Sequence, residues 1–383
     1  MTNASELMRH QVAEGLGIPR ELYLSEEVFD QEIEAIFGAS WIYAGHVSQL
    51  AEPGSYLTVE SGQESVIVAR TREGALAANF NVCRHRGARL VDEGCGVARR
   101  FVCPYHQWGY DLDGSLKGAP KMPDTFDRSQ YGLTPVNVKE WQGFIFVNLA
   151  ERPSRDLEEM LSIGEESLAP FDLASARVAH TITYEISANW KLVWENAQEC
   201  YHCGANHPEF LSAVDIREIT SDGPVVCEIP PGYDPVVKTS RFPLKAGATS
   251  LTVGGQPASA RMLGKFAEGL EPYTASIHIK PTFALVACPD YAMVLRDEPI
   301  SLDKTRVTAS WLVHKEAEER VDYDLANLIR VWDETNKQDW ALCERTQKGV
   351  QSRSFVAGPL SYEETSVVDF HRAYEGWLQT AGL

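Results

Sequence analysis

Two short segments bring together residues able to hold a metal cluster. Cys83-Arg84-His85 and Cys103-Pro104-Tyr105-His106 each offer one thiolate and one imidazole, and residues 86–102 separate them. A structural zinc ion is the alternative, but zinc motifs commonly keep the Cys pair and the His pair apart, whereas here each loop mixes the two. The mixed set suits a [2Fe-2S] cluster in which two imidazoles replace two thiolates on one iron, raising its potential above that of an all-Cys cluster. Cys83 and Cys103 would then hold the inner iron, and His85 and His106 the outer one. Arg84, Arg86 and Arg89 beside the first loop read as solvated or salt-bridged residues and are not assigned to the site.

A second constellation lies in the segment from Asn189 to His207. Trp190, Val193, Trp194, Ala197 and Tyr201 recur at helical spacing, which predicts a helix over about Trp190 to Cys203 with Asn196, Glu199 and His202 on another face. Gly204 is expected to break that helix so that His207 folds back toward His202, and Pro208 prevents its continuation. Two histidines need a carboxylate to complete the 2-His-1-carboxylate set that leaves Fe(II) positions open for oxygen chemistry. Asp339 meets that need: it sits seven residues after Trp332 in an otherwise apolar stripe that includes Leu325, Leu328, Ile329, Leu342 and Cys343. A carboxylate turned toward a core is costly unless paired or metal-bound.

The elements that must carry these residues form an α+β protein in two parts. Ser25 caps a predicted helix to Phe37 that Gly38 terminates. From about Trp41 to Leu149 the chain is β-rich, with short runs such as Tyr56 to Val59, Ser65 to Val68 and Phe144 to Val147 separated by Gly, Pro and Asp-Gly turns. Pro153 and the acidic run from Glu151 to Ser167 mark a linker and a surface helix. The expected division is an N-terminal helical segment over 1–40, a cluster domain over 41–150 and a catalytic domain over 151–383. In the last, helices over about Trp190 to Cys203 and Val321 to Gly349 alternate with strands over about Val178 to Ile186, Ser276 to Cys288 and Val307 to Val313. Thr220 to Pro272, rich in Gly and Pro, is expected to form loops near the pocket.

The chain has 383 residues, enough for two cores, and its 44% hydrophobic and 23% charged composition predicts a folded globule. A formal net charge of -19 argues against nucleic acid or anionic lipid as the main partner, since both need a positive surface field. Met1 to Gly17 lacks the pattern of a signal or transit peptide, and no run approaches the ~18 apolar residues of a membrane span. A cytoplasmic protein is expected. There the eight cysteines should be thiols or metal ligands rather than disulfides, with Cys200 and Cys203 read as small packing residues.

Over nearly its whole length the chain resembles the α subunits of Rieske non-haem iron oxygenases. The motifs that carry the resemblance are C-R-H-R-G with C-P-Y-H-Q-W, N-W-K-L-V-W-E-N with E-C-Y-H-C-x3-H, and the late carboxylate helix ending in Gln347-Lys348-Gly349. The resemblance implies an all-β Rieske domain, a helix-grip (START-like) catalytic domain and a homotrimer in which the cluster of one subunit faces the mononuclear iron of the next. It also implies that His202, His207 and Asp339 bind iron, that Glu199 bridges the two centres across the subunit interface, and that Asn196 is a nearby polar residue. Glu199, where ring-hydroxylating members mostly have Asp, together with E-C-Y-H-C, Trp311 to Lys315 and Val321 to Leu325, resembles the subgroup acting on quaternary ammonium compounds: glycine betaine, stachydrine, carnitine and choline oxygenases.

The activity implied by that resemblance is that of a terminal monooxygenase. It would use O2 and NAD(P)H electrons, delivered by a separate flavin and iron-sulfur reductase, to hydroxylate an N-methyl group and release formaldehyde. No flavin or nicotinamide fingerprint and no plant-type Cys cluster occurs in the chain, so the reductase must be another protein. Hydroxylation or dihydroxylation of an aromatic or other carboxylic acid by the same centres is the alternative activity. An electron carrier fused to a binding domain is the non-enzymatic one. Phe210, Phe283 and Tyr291 are aromatic enough to meet an ammonium group but read as core.

Overall fold

The computed structural model describes residues 4–92, 94–219 and 233–383, so Cys227 lies outside the described residues. The chain divides into two compact units, Phe37–Glu158 and Met1–Ile36 with Glu159–Leu383.

The first unit is built on antiparallel sheets. One sheet has the order Ile42–His46, Phe144–Asn148, Asn137–Trp141. Another runs Leu76–Phe80, Glu64–Arg70, Ser55–Ser61, Cys95–Val97. Ile42, Ala44, Val59, Val66, Val68, Ile145 and Val147 bury their apolar groups in a common core, which is what alternation on paired strands requires. A small sheet of Phe101–Val102, Gly109–Tyr110 and Leu116–Gly118 carries the second Cys/His loop. A separate core of Ile67, Phe101, Trp108, Tyr110 and Leu112 underlies Cys83 and Cys103.

The second unit is a six-stranded antiparallel sheet in the order Ala176–Ile186, Lys304–His314, Tyr291–Ser301, Phe283–Ala287, Ala275–Ile279, Val237–Ser240. The long helix Leu325–Val350 packs Leu328, Val331 and Trp332 against Val286, Met293, Ala309 and Trp311 of the sheet. Asp324 caps it by accepting from the Asn327 amide at 3.0 Å.

The stretch expected as one strand over Ser276 to Cys288 is two, turned at Lys280 to Thr282, because Pro281 cannot continue a central ladder. Tyr291–Ser301 is a strand that the sequence pattern did not predict, and the region expected as loops contains the edge strand Val237–Ser240. The helix capped by Ser25 is α-helical over Glu26–Glu32 and continues with π geometry over Ile33–Phe37.

Candidate metal centres

The two Cys/His loops have the same backbone design. Cys83 N–H donates to Ala88 and Gly87 N–H to Cys83, just as Cys103 N–H donates to Trp108 and Gln107 N–H to Cys103. Each loop therefore turns at its fifth residue, and both turn residues have positive φ, Gly87 at 75° and Gln107 at 63°. Asn81 holds the first loop from beneath, its Oδ1 accepting from the Leu90 and Val91 amides and its Nδ2 donating to Val91 O and Ser65 Oγ.

Cys83 and Cys103 are buried, whereas His85 is exposed and His106 half-buried. The imidazoles lie 4.5 Å apart, centroid to centroid, and His85 stacks on Trp108 at 4.8 Å. Burial raises the cost of a thiolate at Cys103, but the amides of His106 and Tyr105 outweigh it and hold the thiol below its usual pKa. Tyr110 Oη sits 3.3 Å from Cys83 Sγ and accepts from the Arg84 amide. The His106 Nδ1 atom is buried with no hydrogen-bond partner. An orphaned ring nitrogen beside two buried thiols and a second imidazole fits a cluster with two sulfur and two nitrogen ligands.

In the second unit the expected helix is shorter than its apolar spacing predicted. It runs Trp190–Asn196, with Asn189 Oδ1 accepting from the Lys191 amide at 3.0 Å. After it the Glu199 carboxylate accepts from the amides of Tyr201 and His202, taking donors that a continuing helix would use. Asn196, Glu199 and His202 therefore do not share one helical face. Gly204 lies within a one-turn helix, Cys203–Asn206, instead of breaking one, and Pro208 opens another, Pro208–Leu211. Cys200 and Cys203, expected as thiols, form a disulfide, because the turn brings their Cα atoms to 4.9 Å.

That irregular turn and the long helix bring His202, His207 and Asp339 together. The two Nε2 atoms lie 2.9 Å apart, and Asp339 Oδ1 is 3.1 Å from the first and 2.9 Å from the second. His202 Nδ1 faces Glu199 Oε1 at 2.5 Å, and His207 Nδ1 faces Gln338 Oε1 at 2.8 Å. Gln338 is itself held through Nε2 by Glu209 at 3.1 Å. Both outer partners accept, which places the ring protons on Nδ1 and leaves both Nε2 lone pairs aimed at one point beside a carboxylate oxygen. Those donors fit a divalent metal of the 2-His-1-carboxylate type. Cys203 Sγ is also within 4.8 Å of the imidazole nitrogens but is committed to the disulfide. Without a metal, burial opposes protonation of His202, but Asp339 and Glu199 prevail and raise its pKa to about 9.

A cavity of about 230 Å³ opens beside these residues. The long helix forms its roof through Trp332, Thr335, Asn336 and Trp340, and the sheet forms its floor. Phe210, Phe242 and Trp332 line it with centroids 5.4 to 6.0 Å apart. Asn196 also lines the cavity but hydrogen-bonds to none of His202, His207 and Asp339. Phe283 and Tyr291 are core residues, Tyr291 bonding Leu251 O and Trp332 Nε1. Phe210, read as core from the sequence, reaches the cavity as well. Gln338 and Phe242 were missed altogether, because nothing local marks that a glutamine will meet a histidine 131 residues earlier, or that a phenylalanine will meet Trp332 of the long helix.

Fold and donor sets define an oxidoreductase with an iron-sulfur domain followed by a helix-grip domain suited to a mononuclear iron. Residues 40–140 match the Rieske [2Fe-2S] domain, and residues 173–380 match the ring hydroxylating alpha subunit (catalytic domain). The chain belongs to this family of Rieske-type oxygenases, whose members use a [2Fe-2S] cluster, a mononuclear iron and O2. It is 37% identical to the glycine betaine monooxygenase oxygenase subunit of Pseudomonas aeruginosa, covering 92% of this chain and 87% of that one. It is 29% identical to the carnitine monooxygenase oxygenase subunit of Escherichia coli, covering 88% and 85%. The crystal structure of the quaternary ammonium Rieske monooxygenase CntA in complex with an inhibitor superposes with a TM-score of 0.77 at 25% identity, covering 97% of this chain and 98% of that one. Among the described residues no helix is long and apolar enough to cross a membrane.

Proposed function

We propose that this protein is the terminal oxygenase of an N-demethylating system acting on a quaternary ammonium or betaine substrate. In this reading Cys83, His85, Cys103 and His106 hold the cluster within 41–150, and His202, His207 and Asp339 hold the iron within 151–383. When bound, these groups store electrons and activate O2.

The residues themselves orient and exclude. Glu199 and Gln338 fix the tautomers of the two histidines, and Glu199 also serves as the bridge to the cluster domain of a neighbouring subunit in a homotrimer. Asn196 borders the same space as a polar neighbour. A separate flavin and iron-sulfur reductase supplies the electrons from NAD(P)H in the cytoplasm.

The observation that carries the substrate class is the trio Phe210, Phe242 and Trp332 in the cavity beside His202, His207 and Asp339. Aromatic faces attract a methylated ammonium that cannot donate hydrogen bonds. The relatives named for glycine betaine and carnitine support the same class. One N-methyl group, O2, two electrons and two protons give the N-hydroxymethyl compound and water. Loss of its hydroxyl proton with C–N cleavage then releases formaldehyde and the demethylated amine.

The test is O2 consumption and formaldehyde release by the iron-loaded protein with a surrogate reductase and NADH, across betaines, carnitine, choline and aromatic acids. Formaldehyde in step with O2 for a methylated ammonium supports the reading. Turnover of aromatic acids alone, without formaldehyde, overturns it in favour of ring or acid hydroxylation.

A further inference from the structure

The cavity floor is two rows of side chains running across the sheet. Register pairs Lys238 with His278, His278 with Ala284, and Ala284 with Leu295. The neighbouring row joins Ser240, Ser276, Val286 and Met293. Directly opposed residues on antiparallel strands share a face, so the floor is apolar at its centre and becomes cationic and hydroxylic at the edge strand Val237–Ser240.

Lys238 Nζ donates to Ser366 Oγ at 2.6 Å, and among the described residues no carboxylate lies within ion-pair distance of it. Asp369, the carboxylate whose charge acts on it through space, is engaged by Arg372 at 2.9 Å and by Tyr233. Burial lowers the pKa of Lys238, with Asp369 opposing. The strand partner His278 is half-buried, and its Nδ1 atom is buried and unpartnered. Gln198, also buried and lining the cavity, has both amide atoms unpartnered. Ser366 Oγ meets one of the three N–H donors of Lys238, and buried side-chain amides and ring nitrogens are rarely left without partners, so the unmet groups describe what the cavity lacks.

We infer that Lys238, supported by Ser366 at the edge of the floor, is an anion subsite that binds the carboxylate of the substrate and makes the enzyme selective for zwitterionic betaines over uncharged-tail ammonium compounds such as choline. This rests on the quaternary ammonium reading for the other end of the ligand. An incoming carboxylate supplies the charge-assisted partner that Lys238 lacks and keeps the ammonium protonated. An alcohol or ester in its place leaves the half-buried cation without a counter-charge, which is how a polar site rejects an analogue.

The experiment compares wild type, Lys238→Met and Lys238→Arg as reductase-coupled holoenzymes on a betaine, its neutral methyl ester and choline. Wild type is expected to favour the betaine over the ester. Lys238→Met should lower kcat/KM for the betaine on the order of a hundredfold, mainly through KM, leave the ester within a few-fold, and be partly rescued by arginine. Equal use of betaine and ester by wild type, or equal loss on both substrates in Lys238→Met with normal iron content, overturns the subsite. If only aromatic acids are consumed, the quaternary ammonium reading fails instead. The same variant on that acid then decides the subsite separately: a raised KM upholds an anion site at Lys238, and an unchanged KM overturns it.

Discussion

Gln338 Oε1 lies 2.8 Å from Nδ1 of His207, one residue before Asp339 on the same helix, so a single turn supplies both a carboxylate and the partner that orients the imidazole it faces. Gln338→Leu removes the acceptor without altering any of the three donor residues. Outer partners of metal-binding histidines are worth about 10- to 100-fold in metal affinity. A ferrous ion titration should show weakening in that range while the visible spectrum of the cluster is unchanged.

Asp339→Ala should separate the two centres. Iron content is expected to fall from about three atoms per chain to about two, the cluster absorbance to remain, and substrate-dependent O2 consumption to disappear. Cys103→Ser should do the reverse to the spectrum, bleaching the cluster. Metal analysis alongside the visible spectrum checks both, and retention of three irons in Asp339→Ala would show that the carboxylate is not a ligand.

Glu32 and Lys191 form an ion pair at 2.7 Å with neither side chain exposed. Trp190 Nε1 and Tyr374 Oη also donate to the same carboxylate. This network ties Glu26–Glu32 and Thr365–Ala381 to the helix that precedes Glu199. Glu32→Ala leaves the lysine buried and uncompensated, a change that costs about 3–5 kcal/mol. Thermal unfolding should register a large drop, and the double variant Glu32→Leu with Lys191→Met should recover part of it.

Burial raises the pKa of Asp297 to about 7, outweighing the opposing charge of Arg296. In the unfolded chain the group titrates near its ordinary value of 3.8. Between those values the folded state retains a proton that the unfolded state has lost, so stability falls as pH rises through this window and levels off above it. Asp297→Asn should therefore stabilise the protein at pH 8, by up to about 4 kcal/mol, and gain nothing at pH 4. Equal thermal midpoints for the variant and wild type at pH 8 would refute the assignment.

The residues offered as donors were legible because their chemistry is rare and local. Cys83 with His85, Cys103 with His106, and His202 with His207 are each within a few residues of one another, and Asp339 stands out as a charge on an apolar stripe. The β-rich first unit, the mixed second unit and the long helix Leu325–Val350 came from period and turn residues in the same way, since these are short-range properties of the chain, whereas the last helix, Thr365–Ala381, was not predicted. The helix expected to continue past Asn196 shows the limit. Its apolar spacing favoured continuation, but the Glu199 carboxylate captured the Tyr201 and His202 amides and the Cys200–Cys203 bond closed the turn. Competition between a side chain and the backbone ladder is decided by geometry that spacing does not encode.

Sequence alone determined which residue types were available for iron chemistry and in which half of the chain they lie. Tertiary structure decided what surrounds them: that Gln338 meets His207, that Phe210, Phe242 and Trp332 converge on one cavity, and that Lys238 lies opposite His278 on its floor. Those neighbours come from separate helices and strands whose register is fixed only when the sheet pairs and the long helix packs on it, so no local pattern could have announced them.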